Sequence, residues 1–198
     1  MKNLDRRVAV SLLLAVTVLA VGCSSSSSAA ASTSAPTGAS AGLSATAYVN
    51  GVCGAFQDFA NAVKQRQDAF KAAGTDIAAV KQAWLDFLDG MVQDTQAIVT
   101  KIQSLGVPDV SDGQAAASTL KGEFSTLQSD IQSLRDQSAD LPTTSEAAFA
   151  AAFQPILQKF QTDLTGFGQE LSKFTGDKLD AAFSKAPECA NLSASSSP

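Results

Sequence analysis

Apolar residues recur every three or four positions in four long segments of this chain, and this spacing limits the fold more than any other feature. Such spacing keeps one face of a segment apolar when the segment is helical. In the first segment, 46–70, the large apolar residues are Val49, Val52, Phe56, Phe59, Val63 and Phe70. The pattern predicts a helix that buries one side.

Residues that begin or end helices separate the four segments. The second helix is expected to start near Thr75 or Asp76 and to stop at Gly106, since glycine favours helix C-termini. Ser111 and Thr143 each precede a Gln or Glu by three positions. This spacing predicts capping boxes at the starts of the third and fourth helices.

The fourth segment is rich in phenylalanine and contains a proline. Its apolar residues are Phe149, Phe153, Ile156, Phe160, Leu164, Phe167, Leu171 and Phe174. Pro155 lacks a backbone N–H donor, which predicts a kink or a broken first turn near Ala151. Gly176 is expected to end this helix, and 177–184 to add a short C-terminal helical turn.

Short connections between helices of similar length favour an all-α fold, an antiparallel up-down-up-down four-helix bundle over 45–189. In that topology the fourth helix ends beside the start of the first, where Cys53 and Cys189 lie. An exported location would favour a disulfide between them. Two buried free thiols or a metal-binding pair are the alternatives.

The first 22 residues have the layout of a secretory signal. A short, net positive start is followed by the apolar run 8–22, which is shorter than the roughly 20 residues of a membrane-spanning helix. Small residues precede Cys23, and a serine run follows it. This arrangement resembles the lipobox of bacterial lipoproteins. The resemblance implies cleavage after Gly22, a diacylglyceryl group on the Cys23 thiol and anchoring at the outer face of the cell membrane. The alternative is a plain secreted protein.

Both flanks of the bundle have compositions that cannot form a core. Residues 23–44 are mostly Ser, Ala, Thr and Gly and predict a flexible tether, and 190–198 predict a disordered tail. With the Gly51-Val52-Cys53 and Pro187-Glu188-Cys189 segments, this layout resembles small secreted lipoproteins of actinobacteria. The resemblance implies residence in the cell envelope and no particular activity.

The absence of histidine from the sequence excludes several kinds of site. A Ser-His-Asp triad, a Cys-His pair and the Glu-x-x-His motif of di-iron bundles all need it. Exported haem carriers are also small, helical and cysteine-bridged, but only Tyr48 could serve as an axial ligand here. The net charge of −5 without a basic patch argues against nucleic acid. We therefore expect no enzyme, cofactor or metal.

Two groups of charged residues are expected to be solvated surface. The acidic group on the second helix is Asp86, Asp89 and Asp94, and the basic group at the first helix–helix turn is Lys64, Arg66, Lys71 and Lys81. Buried together, the carboxylates could instead share a proton or hold a cation. The basic group could instead meet an acidic partner.

The aromatic content leaves two hypotheses for function. A bundle packed tightly by its phenylalanines would be a non-enzymatic binding or scaffold module that presents a rigid surface to an unknown envelope protein. A bundle loosened at Pro155 could instead carry an apolar small molecule or lipid. The pocket expected in that case is lined by Trp84, Met91, Phe153 and Phe160.

Overall fold

The computed structural model describes residues 42–174 and 179–189, with the backbone alone for 172–174 and 180. The predicted signal peptide, lipidated cysteine and tail lie outside these ranges, as do Gly176 and residues 24–41 of the predicted tether. The last three residues of that tether, 42–44, belong to the fold, because Leu43 pairs with Pro108 and the Ser44 hydroxyl caps α1, so the prediction of a flexible segment is wrong for them. The helices are α1 (Ala45–Lys71), α2 (Ile77–Leu105), α3 (Gly113–Ala139), α4 (Glu146–Phe174) and the short α5 (Asp180–Phe183). The four long helices pack against one another, which confirms the all-α four-helix bundle.

Polar side chains cap the N-termini of the first two helices. The Ser44 hydroxyl accepts a hydrogen bond from the Ala47 N–H at 3.3 Å. The Asp76 carboxylate accepts one from the Ala79 N–H at 2.9 Å, which confirms Asp76 as the start of the second helix. In both cases a side-chain oxygen satisfies a backbone donor that has no partner within the helix.

The two predicted capping boxes are wrong. Helix α3 begins at Gly113, so its N-cap is Asp112 and not Ser111. Helix α4 begins at Glu146, and the hydroxyl of the preceding residue, Ser145, accepts the Ala148 N–H at 3.2 Å. Thr143 is too far from the first turn to take this place. A cap must directly precede the helix, and each loop contains other residues of a type that caps helices, namely Asp112 and Ser145.

Pro155 does not break the fourth helix. Helix α4 is continuous from Glu146 to Phe174, with the proline inside it. The predicted broken first turn near Ala151 is therefore wrong. Apolar residues on both sides of Pro155, among them Phe153 and Ile156, are buried in the core, and this packing holds the helix despite the missing donor.

Helices that are consecutive in the chain pack closely, whereas the backbones of α1 and α4 scarcely approach each other. Aromatic side chains occupy the interval between them. Phe124 of α3 contacts Phe56 and Phe59 of α1, with ring centroids 5.2 and 6.0 Å apart, and Phe167 of α4 at 4.8 Å. The bundle is thus closed on its fourth side by large side chains.

A disulfide joins Cys53 to Cys189, with the two Cα atoms 5.1 Å apart. This confirms the predicted pairing and removes the free-thiol and metal-pair alternatives. The bond fastens α5 to α1, where Leu179 and Ala182 form a second small core with Val49. None of the described helices has a stretch that is long and apolar enough to span a bilayer.

Candidate functional site

The residues predicted to line an apolar pocket meet in one aromatic cluster. The indole of Trp84 stacks on Phe87 at 5.4 Å and makes edge contacts with Phe153 at 5.2 Å and Phe160 at 5.5 Å, measured between ring centroids. Met91, the fourth predicted residue, is 1 % exposed. Rings at these separations are in direct contact, so no ligand-sized space lies between them.

A buried hydrogen bond holds the Trp84 ring in place. Its Nε1–H donates to the Ser138 hydroxyl at 2.8 Å, and that hydroxyl donates to the Leu134 carbonyl at 2.7 Å. Both polar groups lie in the core and satisfy each other, as buried polar groups must. Sequence reasoning missed Ser138. The sequence does contain a signal for it, because Ser138 lies four residues after Leu134 and so falls on the apolar, buried face of α3.

A groove of about 330 Å³ opens to solvent between α1 and α2. Its lining is made by two antiparallel segments of about two turns each, namely Ala55, Asp58, Phe59 and Ala62 on α1, and Asp94, Ala97, Ile98 and Lys101 on α2. Three of these residues are alanines, and their short side chains leave the volume of the groove unfilled. The floor is apolar, and carboxylate and ammonium groups stand at the rim.

An ion pair closes one end of the groove. Arg66 of α1 donates from Nη2 to Asp94 Oδ1 at 2.9 Å and from Nε to Oδ2 of the same carboxylate. The pair is only partly solvated, with the side chains 30 % and 15 % exposed. This hydrogen bonding raises the pKa of Arg66 above its usual value, so the guanidinium stays charged.

A glycine on α2, Gly90, lies directly beneath the Arg66 guanidinium. A Cβ atom at Gly90 would lie 2.0 Å from Arg66 Nη1. The guanidinium therefore lies directly on the backbone of α2, and a side chain at position 90 would have to displace it. Glycine in a helix interior costs about 1 kcal/mol in stability relative to alanine. Its presence at position 90 was therefore a signal in the sequence for a close approach to α2.

The acidic group predicted on the second helix is divided among different partners. Asp94 pairs with Arg66, Asp89 accepts a hydrogen bond from Arg135 Nε at 2.9 Å, and Asp86 accepts one from Gln82 at 2.8 Å. The three carboxylates form no shared site. The expectation of a fully solvated face is wrong for Asp94.

The basic group at the first turn is likewise mostly engaged within the protein. Lys81 Nζ donates to the Leu141 carbonyl at 2.8 Å, and Lys71 Nζ lies 3.5 Å from an oxygen of Asp68. Lys64 is exposed. With Arg66 in its ion pair, the four residues do not form a basic tip.

Two exposed charges at the rim of the groove have no ionic partner among the described residues. They are Asp58 on α1 and Lys101 on α2. Because neither is neutralised within this part of the chain, both are available to charges on a bound partner.

Tyr48 does not line an open site. Its side chain is fully buried, and within 42–174 and 179–189 its hydroxyl has no hydrogen-bond partner. Burial raises the pKa of this hydroxyl above its usual value, because the phenolate would be poorly solvated. An axial haem ligand needs a face open to the cofactor, which this position lacks.

The described residues hold no group of three or more Cys, Asp or Glu side chains that could bind a metal ion. No family model, curated protein or solved structure matches this chain.

Proposed function

We propose that this chain is a lipid-anchored, non-enzymatic binding module of the cell envelope, which presents its α1–α2 groove to another envelope protein. The observation that carries the proposal is the position of the free space. The aromatic core is in direct ring-to-ring contact, whereas a volume of about 330 Å³ lies open on the outer surface. A rigid body with a surface groove suits recognition better than enclosure.

The groove combines an apolar floor with charged groups at its rim. Phe59 and Ile98 supply an apolar floor, and the alanines beside them leave depth for one large side chain. Asp58 and Lys101 stand at the rim with charges of opposite sign. A partner would insert an apolar residue flanked by a cation and a carboxylate, since interface energy concentrates on such buried anchors and rim charges select the partner.

Lipidation at Cys23 gives this module its location. Two or three acyl chains hold a protein on a bilayer, whereas one chain gives only marginal binding. Confinement to one surface also raises the effective concentration of a membrane-bound partner. A modest groove affinity then suffices for the interaction.

The carrier hypothesis would place an apolar ligand in the core between α2 and α4. The ring contacts of Trp84 with Phe153 and Phe160 occupy that space. Thermal shift of the full chain with fatty acids, haem and isoprenoids tests it directly. A ligand at 100 times its Kd should add about 2.7 kcal/mol to the free energy of unfolding, and such a shift would favour the carrier.

The anchor is tested by Cys23→Ala, which should release the chain from membranes or leave it unprocessed. The groove is tested by filling it. A photoreactive residue at Lys101 captures the partner in cells, and the partner is then co-purified with two variants. Ala97→Trp fills the groove, whereas Ala150→Trp adds the same side chain at an exposed position of α4.

We expect partner recovery to fall at least about fivefold with Ala97→Trp, because blocking a central interface contact costs more than about 1 kcal/mol. Ala150→Trp should retain the partner. Equal recovery with the two variants would refute the groove as the binding surface. A Cys23→Ala chain that still matures and fractionates with membranes would refute the anchor.

A further inference from the structure

Two large apolar side chains are more than one third exposed in the described part of the chain. They are Leu43, 37 % exposed, and Val107, 36 % exposed. Single exposed apolar residues are ordinary on protein surfaces. These two, however, come from distant parts of the sequence and lie at the same end of the bundle, where α1 begins and α2 has just ended.

Backbone pairing joins the two segments that carry these residues. Leu43 and Pro108 form an isolated parallel bridge, in which the Asp109 N–H donates to the Leu43 carbonyl at 2.8 Å. The backbones approach so closely that a Cβ atom at Gly42 would lie 2.5 Å from the Val107 carbonyl oxygen. The two backbone segments that carry Leu43 and Val107 are therefore fixed side by side, and we name this place the Leu43–Val107 edge.

The edge also marks the point where the chain leads toward the proposed lipid anchor. Cys23 precedes Leu43 by 20 positions, a length that spans at most about 70 Å when fully extended. The opposite end of the bundle, at the turn between α1 and α2, is a further 40 Å or so away along α1. The tether therefore joins the bundle at the end that bears the edge, and this end is the nearer of the two to Cys23 along the chain.

We infer that the Leu43–Val107 edge rests on the lipid bilayer, so that the bundle stands on this end with the α1–α2 turn pointing away. The inference rests on the proposed lipid anchor at Cys23. Two partly exposed side chains bind a bilayer weakly by themselves, but the anchor makes their contact intramolecular and so favours it. Asp109, exposed beside the edge, keeps the contact shallow, at headgroup depth.

Site-directed spin labelling of the full lipidated chain in phosphatidylcholine vesicles tests this orientation. With Cys53 and Cys189 bonded and Cys23 acylated, Val107→Cys provides a single reactive thiol next to Leu43. Thr75→Cys, exposed at the opposite end, is the matched control. Each label is then exposed to oxygen, which concentrates in the bilayer, and to a water-soluble nickel chelate.

We expect the oxygen-to-nickel collision ratio to be at least about fivefold higher at 107 than at 75. Leu43→Ser should lower the ratio at 107 toward the control, whereas Ala78→Ser at the far end should not. Equal ratios at 107 and 75 on protein that floats with the vesicles would overturn the orientation and leave the anchor standing. Protein that does not float, or that takes up label at Cys23, would overturn the anchor and the orientation together.

Discussion

Replacing both Cys53 and Cys189 with alanine should lower the free energy of unfolding by up to about 5 kcal/mol. The disulfide closes a loop with a sequence separation of 136 residues. In the chain-entropy description, opening a loop of that length increases the conformational entropy of the unfolded chain by roughly 17 cal/mol/K. For a domain of this size, the loss corresponds to a melting temperature about 10–20 °C lower.

Thermal unfolding followed by far-ultraviolet circular dichroism, with urea titration at 25 °C, measures this effect. Reduction of the wild-type protein should reproduce the fall caused by the double substitution, because both remove the same cross-link. The reductant must leave the double variant unchanged, since no disulfide remains there. A fall below about 1 kcal/mol, or labelling of both thiols in the native unreduced protein, would refute the reasoning.

Three smaller perturbations test individual groups. Ser138→Ala should cost about 1–3 kcal/mol in a urea titration, because the buried Trp84 Nε1–H loses its acceptor. An unchanged midpoint would mean that this hydrogen bond adds no stability. Gly90→Ala should stabilise an Arg66→Ala variant by about 1 kcal/mol, because alanine has the higher helix propensity. The same substitution should stabilise the wild type clearly less, because there the new methyl group displaces the Arg66 guanidinium. Equal gains in both backgrounds would contradict the close approach. Tyr48→Phe should not destabilise the protein at pH 7, since the buried hydroxyl has no partner within the described residues. Burial raises the pKa of Tyr48 above its usual value of 10.0, so the unfolded chain loses the phenol proton at a lower pH than the folded protein does. As the pH rises past 10.0, the free energy of unfolding should therefore fall more steeply for the wild type than for Y48F. Parallel pH curves would refute this last prediction.

The helices themselves were predictable from apolar spacing. The first helix, predicted over 46–70, is Ala45–Lys71, because the large apolar residues every three or four positions face one core. The start of α2 at Asp76 was also predictable, since a carboxylate there meets the free N–H of Ala79. The prediction of Ser111 and Thr143 as helix caps was wrong because each loop contains other residues that can cap a helix. Tertiary packing decides which of them directly precedes the helix.

The groove and its ion pair were beyond sequence reasoning for a different reason. Arg66 and Asp94 are 28 residues apart, and their meeting depends on how far α1 is displaced along α2. A spacing pattern indicates which face of each helix is buried, but it does not specify this displacement. For the same reason the alanines at 55, 62 and 97 could not be recognised as a groove, since alanine fits equally well on a solvated face or a close contact.

The disulfide and the aromatic core act on the same structural weakness, which is the wide interval between α1 and α4. In a bundle whose consecutive helices pack closely, separation of the first and last helices would open the core on that side. Phe124 spans the interval from α3 by contacting rings on both α1 and α4. The Cys53–Cys189 bond fixes the chain that follows α4 onto α1 at one end. With the core thus closed, the groove of about 330 Å³ lies on the outside, between α1 and α2, and this is the reason why our proposal puts partner binding there and not within the bundle.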